Sequence, residues 1–468
     1  MRVAPAVPSD AIEMLVNAEP DTLDPRYAND AISSRASRLL HAGLMKIHPT
    51  TLTPVADVAE RWHQDTPTRL RLWLGDRRFH SGMPVTCVDV RATLLALRSP
   101  EIRSRASVAF RELSDVECVS AHELVIQSRV PRASMLADLC FPILRATEAA
   151  GPPSETLDGL GPFNLESAQP GALTFAPAFP GANGAPTRRV RLRAVGDENA
   201  RALRLLSGRA DVASGVLSPL LAEALGKRGL HLSETEGANL TYIVARTDLG
   251  ASSSQELRAY LRSAAPRRAI VDGMLAGHAT LAEQILPPAV LGHAASAPSP
   301  LPPALATSAR GMRTELLVGT DRVRVAIARA MADEWAKEGV LVDVVPLDLG
   351  VLLARLGRGD FSFAMLQLPD LTEAGLLRTL LHSALMPPLG MNRSHYANAE
   401  VDAWLDAAET ESDPIARRAL YARVERVNTT ALALIPLWRE RHLAVLSPQA
   451  SSFAPGSDGH WGALCDIP

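Results

Sequence analysis

Apolar residues recur along the chain with two different periods, and each period predicts one kind of secondary structure. Residues 68–74, TRLRLWL, and 188–195, RRVRLRAV, alternate apolar with basic side chains, which predicts strands with one buried face. Residues 11–25, AIEMLVNAEPDTLDP, predict a further strand that runs into a loop marked by prolines. Ile32 and Ala36 then begin a series at helical spacing, which predicts a helix. Strands and helices are therefore mixed from the start of the chain.

Two stretches have the strand–helix–strand order that is typical of a parallel sheet. Residues 312–319, MRTELLVG, and 340–348, VLVDVVPLD, are strand patterns, and the helical pattern at 323–339 separates them. Further upstream, a helical pattern that ends at Gly208 is followed by a strand beginning at Asp211. Parallel strands joined by helices predict an α/β protein with mixed sheets, arranged in two lobes.

Turn and cap residues divide the regular elements from one another. Residues 79–90, FHSGMPVTCVDV, contain a tight turn, and Thr86 and Asp89 then have the spacing of a capping box, which predicts the start of a helix. Residues 54–62, PVADVAERW, predict a short helix. Residues 286–310 are rich in Pro, Ala and Ser, which predicts a surface loop or linker.

Length and composition place the chain among ordinary globular proteins. Its 468 residues suggest two or three domains, with 47% hydrophobic and 21% charged residues. The net charge of −3, without a basic run interleaved with aromatic residues, argues against nucleic-acid binding. No apolar stretch reaches the ~18–20 residues of a membrane span. The four cysteines form no CxxC pair, which argues against structural zinc, and one disulfide among Cys87, Cys118 and Cys140 stays open.

Sequence motifs for catalysis and cofactor binding are missing. The chain contains no HExxH, no GxSxG, no Walker A motif and no GxGxxG after a strand. We therefore expect no enzymatic activity, no cofactor and no metal site. Residues 1–15 carry one Arg and no apolar signal-peptide core, so we expect either a cytoplasmic protein or a processed form of an exported one.

A set of turn and cap phrases occurs in a fixed order along nearly the whole chain. These phrases are EPDTLDP at 19–25, PVADVAERW at 54–62, FHSGMPVTCVDV at 79–90, GLGPFNLES at 159–167, NARALRLLSGRADV at 199–212, MNRSHYANAEVDAWLDAA at 391–408, DPIARRALYARVERV at 413–427 and IPLW at 435–438. In these phrases and their order the chain resembles the family-5 extracellular solute-binding proteins, the dipeptide-, oligopeptide- and nickel-binding receptors of ABC importers.

The resemblance implies a two-lobed periplasmic-binding fold of type II with a discontinuous first lobe. Lobe I is expected at residues 10–45, 160–238 and 443–468, with an inserted subdomain at 46–159, and lobe II at 239–442. The expected protein is a periplasmic or extracytoplasmic monomer that encloses its ligand between the lobes by hinge closure. Its expected partners are a small-molecule or peptide ligand and the membrane subunits of an ABC permease, not nucleic acid.

The resemblance also implies ligand contacts at the start of each lobe. In peptide-binding relatives the backbone before the LDP phrase pairs with the ligand as an added strand, and the matching positions are Ala18, Glu19 and Pro20. Pro20 has no N–H and offers one donor fewer. Asn239 and Tyr242 match the polar positions that open the second lobe, although an ordinary strand with Tyr242 partly buried explains them equally well.

Further contacts are implied later in the chain. Asp370 is the acidic residue nearest to the position that holds a ligand ammonium group, although it could instead be a turn residue or a helix N-cap. Asn392 and Arg393 lie on a loop near the family's cleft, where they either contact ligand or fix the loop. Trp438 is expected either to form a wall of the cleft or to belong to the core.

The resemblance implies a peptide as the ligand, and other functions stay open. Residues 286–310 replace a segment that many relatives fill with a helix, and few aromatic residues remain to line a pocket. A receptor for a sugar or a nickel complex is therefore an alternative. A cytoplasmic solute-sensing or regulatory protein of the same fold is another, and an enzyme on an α/β scaffold is a third.

Overall fold

The computed structural model describes residues 11–28, 30–102, 104–180, 185–291, 310–369 and 371–468. The chain divides into two compact units by its internal contacts. Unit 1 comprises Met1–Thr235 and His442–Pro468, and unit 2 comprises Glu236–Arg441. None of the helices in these ranges is long and apolar enough to span a membrane.

Strands and helices alternate through most of the chain. The strands are β1 (Ala11–Val16), β2 (Met45–Ile47), β3 (Pro54–Ala56), β4 (Ala59–Thr66), β5 (Arg69–Leu74), β6 (Leu113–Cys118), β7 (Glu123–Ser128), β8 (Phe163–Gln169), β9 (Ala172–Pro177), β10 (Arg189–Ala194), β11 (Val212–Ser214), β12 (His231–Glu236), β13 (Leu240–Ala245), β14 (Ala279–Leu281), β15 (Arg313–Gly319), β16 (Leu341–Leu347), β17 (Phe363–Leu368) and β18 (Leu434–Leu446). The helices are α1 (Ala31–Leu40), α2 (Cys87–Ala96), α3 (Met135–Asp138), α4 (Ala146–Ala149), α5 (Glu198–Leu206), α6 (Pro219–Gly226), α7 (Gln255–Ala264), α8 (Arg267–Ala269), α9 (Pro288–Leu291), α10 (Arg322–Ala336), α11 (Leu349–Arg358), α12 (Leu376–Leu381), α13 (Ala399–Thr410) and α14 (Pro414–Ala431).

The main sheet of unit 1 has the order β18-β11-β1-β10-β9-β8. Strand β1 is parallel to both β10 and β11, so that Met14 lies opposite Leu192 on one side and Val212 on the other. Every residue of β1 is buried, as expected for a central parallel strand covered on both faces. The mixed sheet confirms the α/β class that the sequence predicts.

The four-stranded sheet β4-β5-β7-β6 forms a second layer in unit 1. In β5 alternate residues are buried, as its sequence predicts. The predicted helix at 54–62 is wrong, because Pro54–Ala56 pairs with β2 and Ala59–Thr66 pairs with β5. Strand β4 lies at a sheet edge with most of its residues exposed, so it lacks the apolar alternation by which a strand is recognised.

Helix α2 begins at the predicted capping box and is joined to the sheet by a disulfide. The Asp89 carboxylate accepts hydrogen bonds from the Thr86 backbone N–H at 2.9 Å and the Thr86 hydroxyl at 2.8 Å. Cys87 in the first turn is bonded to Cys118 at the end of β6, with their Cα atoms 5.7 Å apart. Of the three cysteines left open by the sequence, Cys140 is therefore the free one, and it is buried.

Unit 2 is built on a sheet with the order β16-β15-β17-β13-β18, and β14 pairs with β18. Strands β15, β16 and β17 are parallel, and α10 connects β15 to β16 as the sequence predicts. Strand β13 is antiparallel to both β17 and β18. Hydrophobic clusters cover the two faces of this sheet, one around Tyr242 and one around Trp438.

The start of the Pro/Ala-rich segment departs from the predicted surface loop. Leu286 is completely buried in the core of unit 2, and Pro288–Leu291 forms one turn of helix. Residues 292–309 lie outside the described part of the chain. The loop prediction is therefore wrong for the first residues of 286–310 and stays a prediction for the others.

Candidate functional site

In unit 1, the backbone after β1 is exposed and has free hydrogen-bonding groups. Strands β1, β10 and β11 are parallel, so their carboxyl ends meet at one edge, where ligands bind in open α/β sheets. Ala18 and Glu19 follow β1 at that edge, and both are exposed. None of the described residues forms a hydrogen bond with the backbone N–H of either residue. These groups are available to a ligand.

Contacts on both sides hold this exposed segment in place. The Glu19 carboxylate accepts a hydrogen bond from the Gly171 backbone N–H at 2.8 Å. Downstream, Arg26 forms a completely buried ion pair with Asp24 at 2.5 Å. The Arg26 guanidinium also donates to four backbone carbonyl groups, those of residues 148, 149, 151 and 152. The EPDTLDP phrase is thereby rigid where it leaves the exposed Ala18–Glu19 segment.

In unit 2, a polar cluster lies at the carboxyl edge of the parallel strands. Arg324, in the first turn of α10, donates to the Gln367 side-chain carbonyl at 2.8 Å and lies 3.5 Å from the Glu440 carboxylate. The Thr241 hydroxyl donates to the same Glu440 carboxylate at 2.9 Å. Gln367 is exposed, and Arg324 and Glu440 are partly exposed. The cluster therefore presents a cation, a carboxylate and an amide to solvent.

Asn239 is hydrogen-bonded to the backbone of Glu440, a member of this cluster. Its side-chain amide donates to the Glu440 backbone carbonyl at 2.8 Å and accepts from the Glu440 N–H at 2.9 Å. Its backbone carbonyl accepts from Arg439 at 2.9 Å. The Asn239 side chain thus orients Glu440, and its direct contact with a ligand stays a prediction.

Two of the predicted aromatic contacts are buried in unit 2. Tyr242 is 2% exposed, and burial raises its pKa to about 12, with nearby Arg393 acting in the opposite direction. Trp438 is 1% exposed, and its Nε1 has no hydrogen-bond partner among the described residues. Their burial favours the packing alternative for both residues, and contact with a ligand stays a prediction.

Asn392 and Arg393 are adjacent but have different surroundings. The completely buried Asn392 amide donates to the carbonyl groups of Leu381, His382 and Tyr396, which fixes the loop. Arg393 is partly exposed, and its guanidinium has no hydrogen bond or ion pair with any residue in the described ranges. Arg393 is therefore the member of the pair that is free to bind an anion.

Sequence reasoning missed most of the unit 2 cluster. Arg324 could have been found, because it lies in the first turn of the helix that follows a strongly predicted strand. Thr241, Gln367 and Glu440 carry no local signal, since separate strands bring them together. Asp370 lies outside the described residues, and its predicted role is not addressed by the structure.

In both units, exposed polar groups lie at the carboxyl edge of parallel strands, where open α/β sheets bind ligands. The family described as bacterial extracellular solute-binding proteins, family 5, middle part, matches residues 53–370, which is more than half of the chain. The chain belongs to this family. It is thus the solute-binding component of an ABC import system.

Individual relatives cover nearly the full chain at low identity. The chain is 23% identical over 477 residues to the probable D,D-dipeptide-binding periplasmic protein DdpA of Escherichia coli, covering 96% of this chain and 92% of that protein. It is 22% identical over 481 residues to the glutathione-binding protein GsiB of Salmonella choleraesuis, covering 96% and 93%. The structure of the substrate-binding protein CtaP of Listeria monocytogenes matches with a TM-score of 0.86 and 17% identity, covering 97% and 98%. The CtaP structure confirms the fold.

Proposed function

We propose that the solute is a small peptide. The observation that carries this proposal is the exposed Ala18–Glu19 backbone, whose N–H groups have no partner among the described residues. An extended peptide is a ligand whose own carbonyl groups match such donors, because added-strand recognition uses main-chain hydrogen bonds. The names of DdpA and GsiB, which refer to a dipeptide and to glutathione, support the same ligand class.

Arg393 is the proposed anchor for a carboxylate of the peptide. Its guanidinium is partly exposed and has no carboxylate partner in the described part of the chain. A guanidinium matches a carboxylate in geometry and charge, and such charge-assisted hydrogen bonds are about twice as strong as neutral ones. The polar cluster of Arg324, Gln367 and Glu440 offers further donors and acceptors for the peptide backbone.

A thermal-shift and calorimetric screen tests the ligand class. Dipeptides to pentapeptides, free amino acids, sugars and Ni²⁺ are each added to the purified protein. A true ligand stabilises the folded state by roughly 2.7 kcal/mol at a hundredfold excess over Kd. We expect peptides to raise the melting temperature. A shift produced by a sugar or by Ni²⁺, without any shift from peptides, would show that the ligand class is wrong.

The proposed place of action is outside the cytoplasm. The Cys87–Cys118 disulfide supports this, because disulfides persist in oxidising compartments and are rare in the cytosol. Thiol titration of protein isolated without reductant should find these two cysteines oxidised. If both are reduced in vivo, the cytoplasmic sensing alternative gains support.

We further propose that the protein acts as a monomer without catalytic activity and binds no nucleic acid. The sequence, which contains no HExxH, GxSxG or Walker A motif, and the net charge of −3 support this. Light scattering across a concentration series tests the monomer, and recovery of intact peptide after prolonged incubation tests the lack of hydrolysis. Hinge closure on the ligand stays a prediction, for which small-angle scattering with and without peptide is the measurement.

A further inference from the structure

A cavity of about 190 Å³ lies within unit 1 beside helix α1. Its walls come from one face of α1, from the turn after β1, from the segment around Ser104 and Ala106, and from Phe141 and Pro142. Sites for drug-sized ligands have volumes of ~300–1,000 Å³, so this cavity suits a smaller molecule. None of the residues assigned above to peptide binding lines it.

Helix α1 presents three polar side chains to the cavity. Ser34, Ser37 and Arg38 have the spacing i, i+3 and i+4, which places them on one face of a helix. Ser37 is 1% exposed, and its hydroxyl has no hydrogen-bond partner in the described part of the chain. An unpaired buried hydroxyl is rare, because its desolvation is not offset by any hydrogen bond. Ser37 lines the cavity, so rotation about its Cα–Cβ bond would bring this hydroxyl to a bound molecule.

Arg38 supplies the available charge of the cavity. Its guanidinium forms no hydrogen bond or ion pair with the described residues. Arg26 also lines the cavity, but its guanidinium is fully used by Asp24 and the four carbonyl groups named above. Arg38 acts on the buried carboxyl group of Asp458: burial raises the pKa of Asp458, and the Arg38 charge acts to lower it. Asp458 and Arg38 do not form an ion pair, so the guanidinium keeps its donors.

We propose that this cavity binds a small oxyanion of the phosphate or carboxylate type. Arg38 donates paired hydrogen bonds to two oxygen atoms of the anion, because the planar guanidinium matches both groups in geometry. The Ser37 hydroxyl donates to a third oxygen of the anion, or to one of the two oxygen atoms that Arg38 binds. Phe141 and the prolines of the wall cover part of the cavity with apolar groups, which reduces the solvent screening of these interactions.

Calorimetric titration at low ionic strength with inorganic phosphate and, separately, with acetate tests the proposal. We expect one of the two to bind the unaltered protein, and the two titrations distinguish phosphate from carboxylate recognition. Arg38→Gln should weaken that binding at least about tenfold, and Ser37→Ala should weaken it by a smaller factor. Arg91→Gln, which alters an exposed arginine of α2, is the matched control and should bind as the unaltered protein does.

Ala106→Leu is a second test of the anion site, because a larger side chain fills the cavity without changing any charge. This variant should also bind the anion more weakly. Circular dichroism shows whether each variant is folded. Peptide binding should be unchanged in all of them, so failure of this proposal is distinguishable from failure of the proposed function. The proposal is overturned if neither anion binds, or if Arg38→Gln and Ala106→Leu bind the anion as tightly as the control.

Discussion

Glu425 and Arg439 bind opposite backbone groups of the same two residues of unit 2, Ile285 and Leu286. The Glu425 carboxylate accepts from the N–H groups of Ile285 at 3.0 Å and Leu286 at 2.7 Å. Arg439 donates through one nitrogen to the carbonyl groups of Ile285 at 3.1 Å and Leu286 at 2.8 Å. Both side chains are buried, so the backbone N–H and carbonyl groups of Ile285 and Leu286 are satisfied without water.

The stability of the protein should depend on pH through Glu425. Burial raises the pKa of Glu425 from its ordinary value of 4.5 to about 7, while its two backbone hydrogen bonds and Arg439 act to lower it. Because the folded state holds the proton more tightly, this contribution to stability is fully present below about pH 4.5 and is lost as the pH rises to about 7. At ~1.4 kcal/mol per pH unit the loss is about 3 kcal/mol.

Denaturant unfolding of Glu425→Gln at pH values on both sides of this interval measures the effect. In the unaltered protein the free energy of unfolding should fall as the pH rises through this interval. In the variant the contribution of residue 425 to that fall should be absent, because an amide does not titrate. Glu256→Gln, on an exposed position of α7, should retain the full pH dependence. Identical pH profiles for Glu425→Gln and Glu256→Gln would contradict the prediction.

Peptide affinity should depend more on the backbone at residues 18 and 19 than on the Glu19 side chain. Ala18→Pro removes an exposed N–H that has no partner among the described residues, so it should weaken peptide binding about tenfold with little change in stability. Glu19→Ala removes the carboxylate that contacts Gly171 but keeps both N–H groups, so it should weaken affinity by a smaller factor. Equal affinities of the two variants would argue against added-strand recognition.

Substitutions at the adjacent residues Asn392 and Arg393 should have different effects, one on the stability of the protein and the other on peptide affinity. Asn392→Ala removes a buried amide with three carbonyl partners and should lower the free energy of unfolding by about 2–4 kcal/mol. Arg393→Gln should leave stability unchanged and weaken binding of peptides with a free carboxylate about tenfold. Peptides amidated at the C-terminus serve as the control ligand. If Arg393→Gln binds both peptide forms as before, Arg393 is not the anchor.

Reduction of the Cys87–Cys118 disulfide should lower the stability of unit 1. The bond joins residues that are 31 positions apart, and a loop of this size corresponds to about 3–4 kcal/mol in the chain-entropy account. Thermal unfolding with and without reductant measures the effect, and a Cys87→Ala, Cys118→Ala double variant should be insensitive to reductant. Cys465→Ser, which alters a free cysteine, should respond as the unaltered protein does.

Local patterns predicted most elements of the fold because their signals are contained within a few residues. The alternation in β5, the apolar run of β1 and the capping box at Thr86 each depend on neighbours in sequence, and the structure confirms them. The failure at Ala59–Thr66 has a different cause. Its identity as a strand comes from pairing with β5, and its exposed position at the sheet edge left no apolar pattern to recognise.

The candidate site was less predictable because it is assembled from distant parts of the chain. Thr241 and Glu440 form a hydrogen bond although 199 positions separate them. The family resemblance supplied positions such as Asn239, whose amide the structure shows bonded to the β18 backbone. Free backbone donors such as those of Ala18 become apparent only when all other hydrogen bonds are known.

Strand β18 has a consequence for the order of events during synthesis. Its first part completes the sheet of unit 2, and its last residues, with the segment up to Pro468, belong to unit 1. Unit 2 is thus continuous in the sequence, whereas unit 1 needs residues from both sides of unit 2. During synthesis, all residues of unit 2 are present before residues 442–468, which complete unit 1, have been added. Unit 2 can therefore fold before unit 1. Nascent unit 1 is therefore the part with the longest need for protection by chaperones.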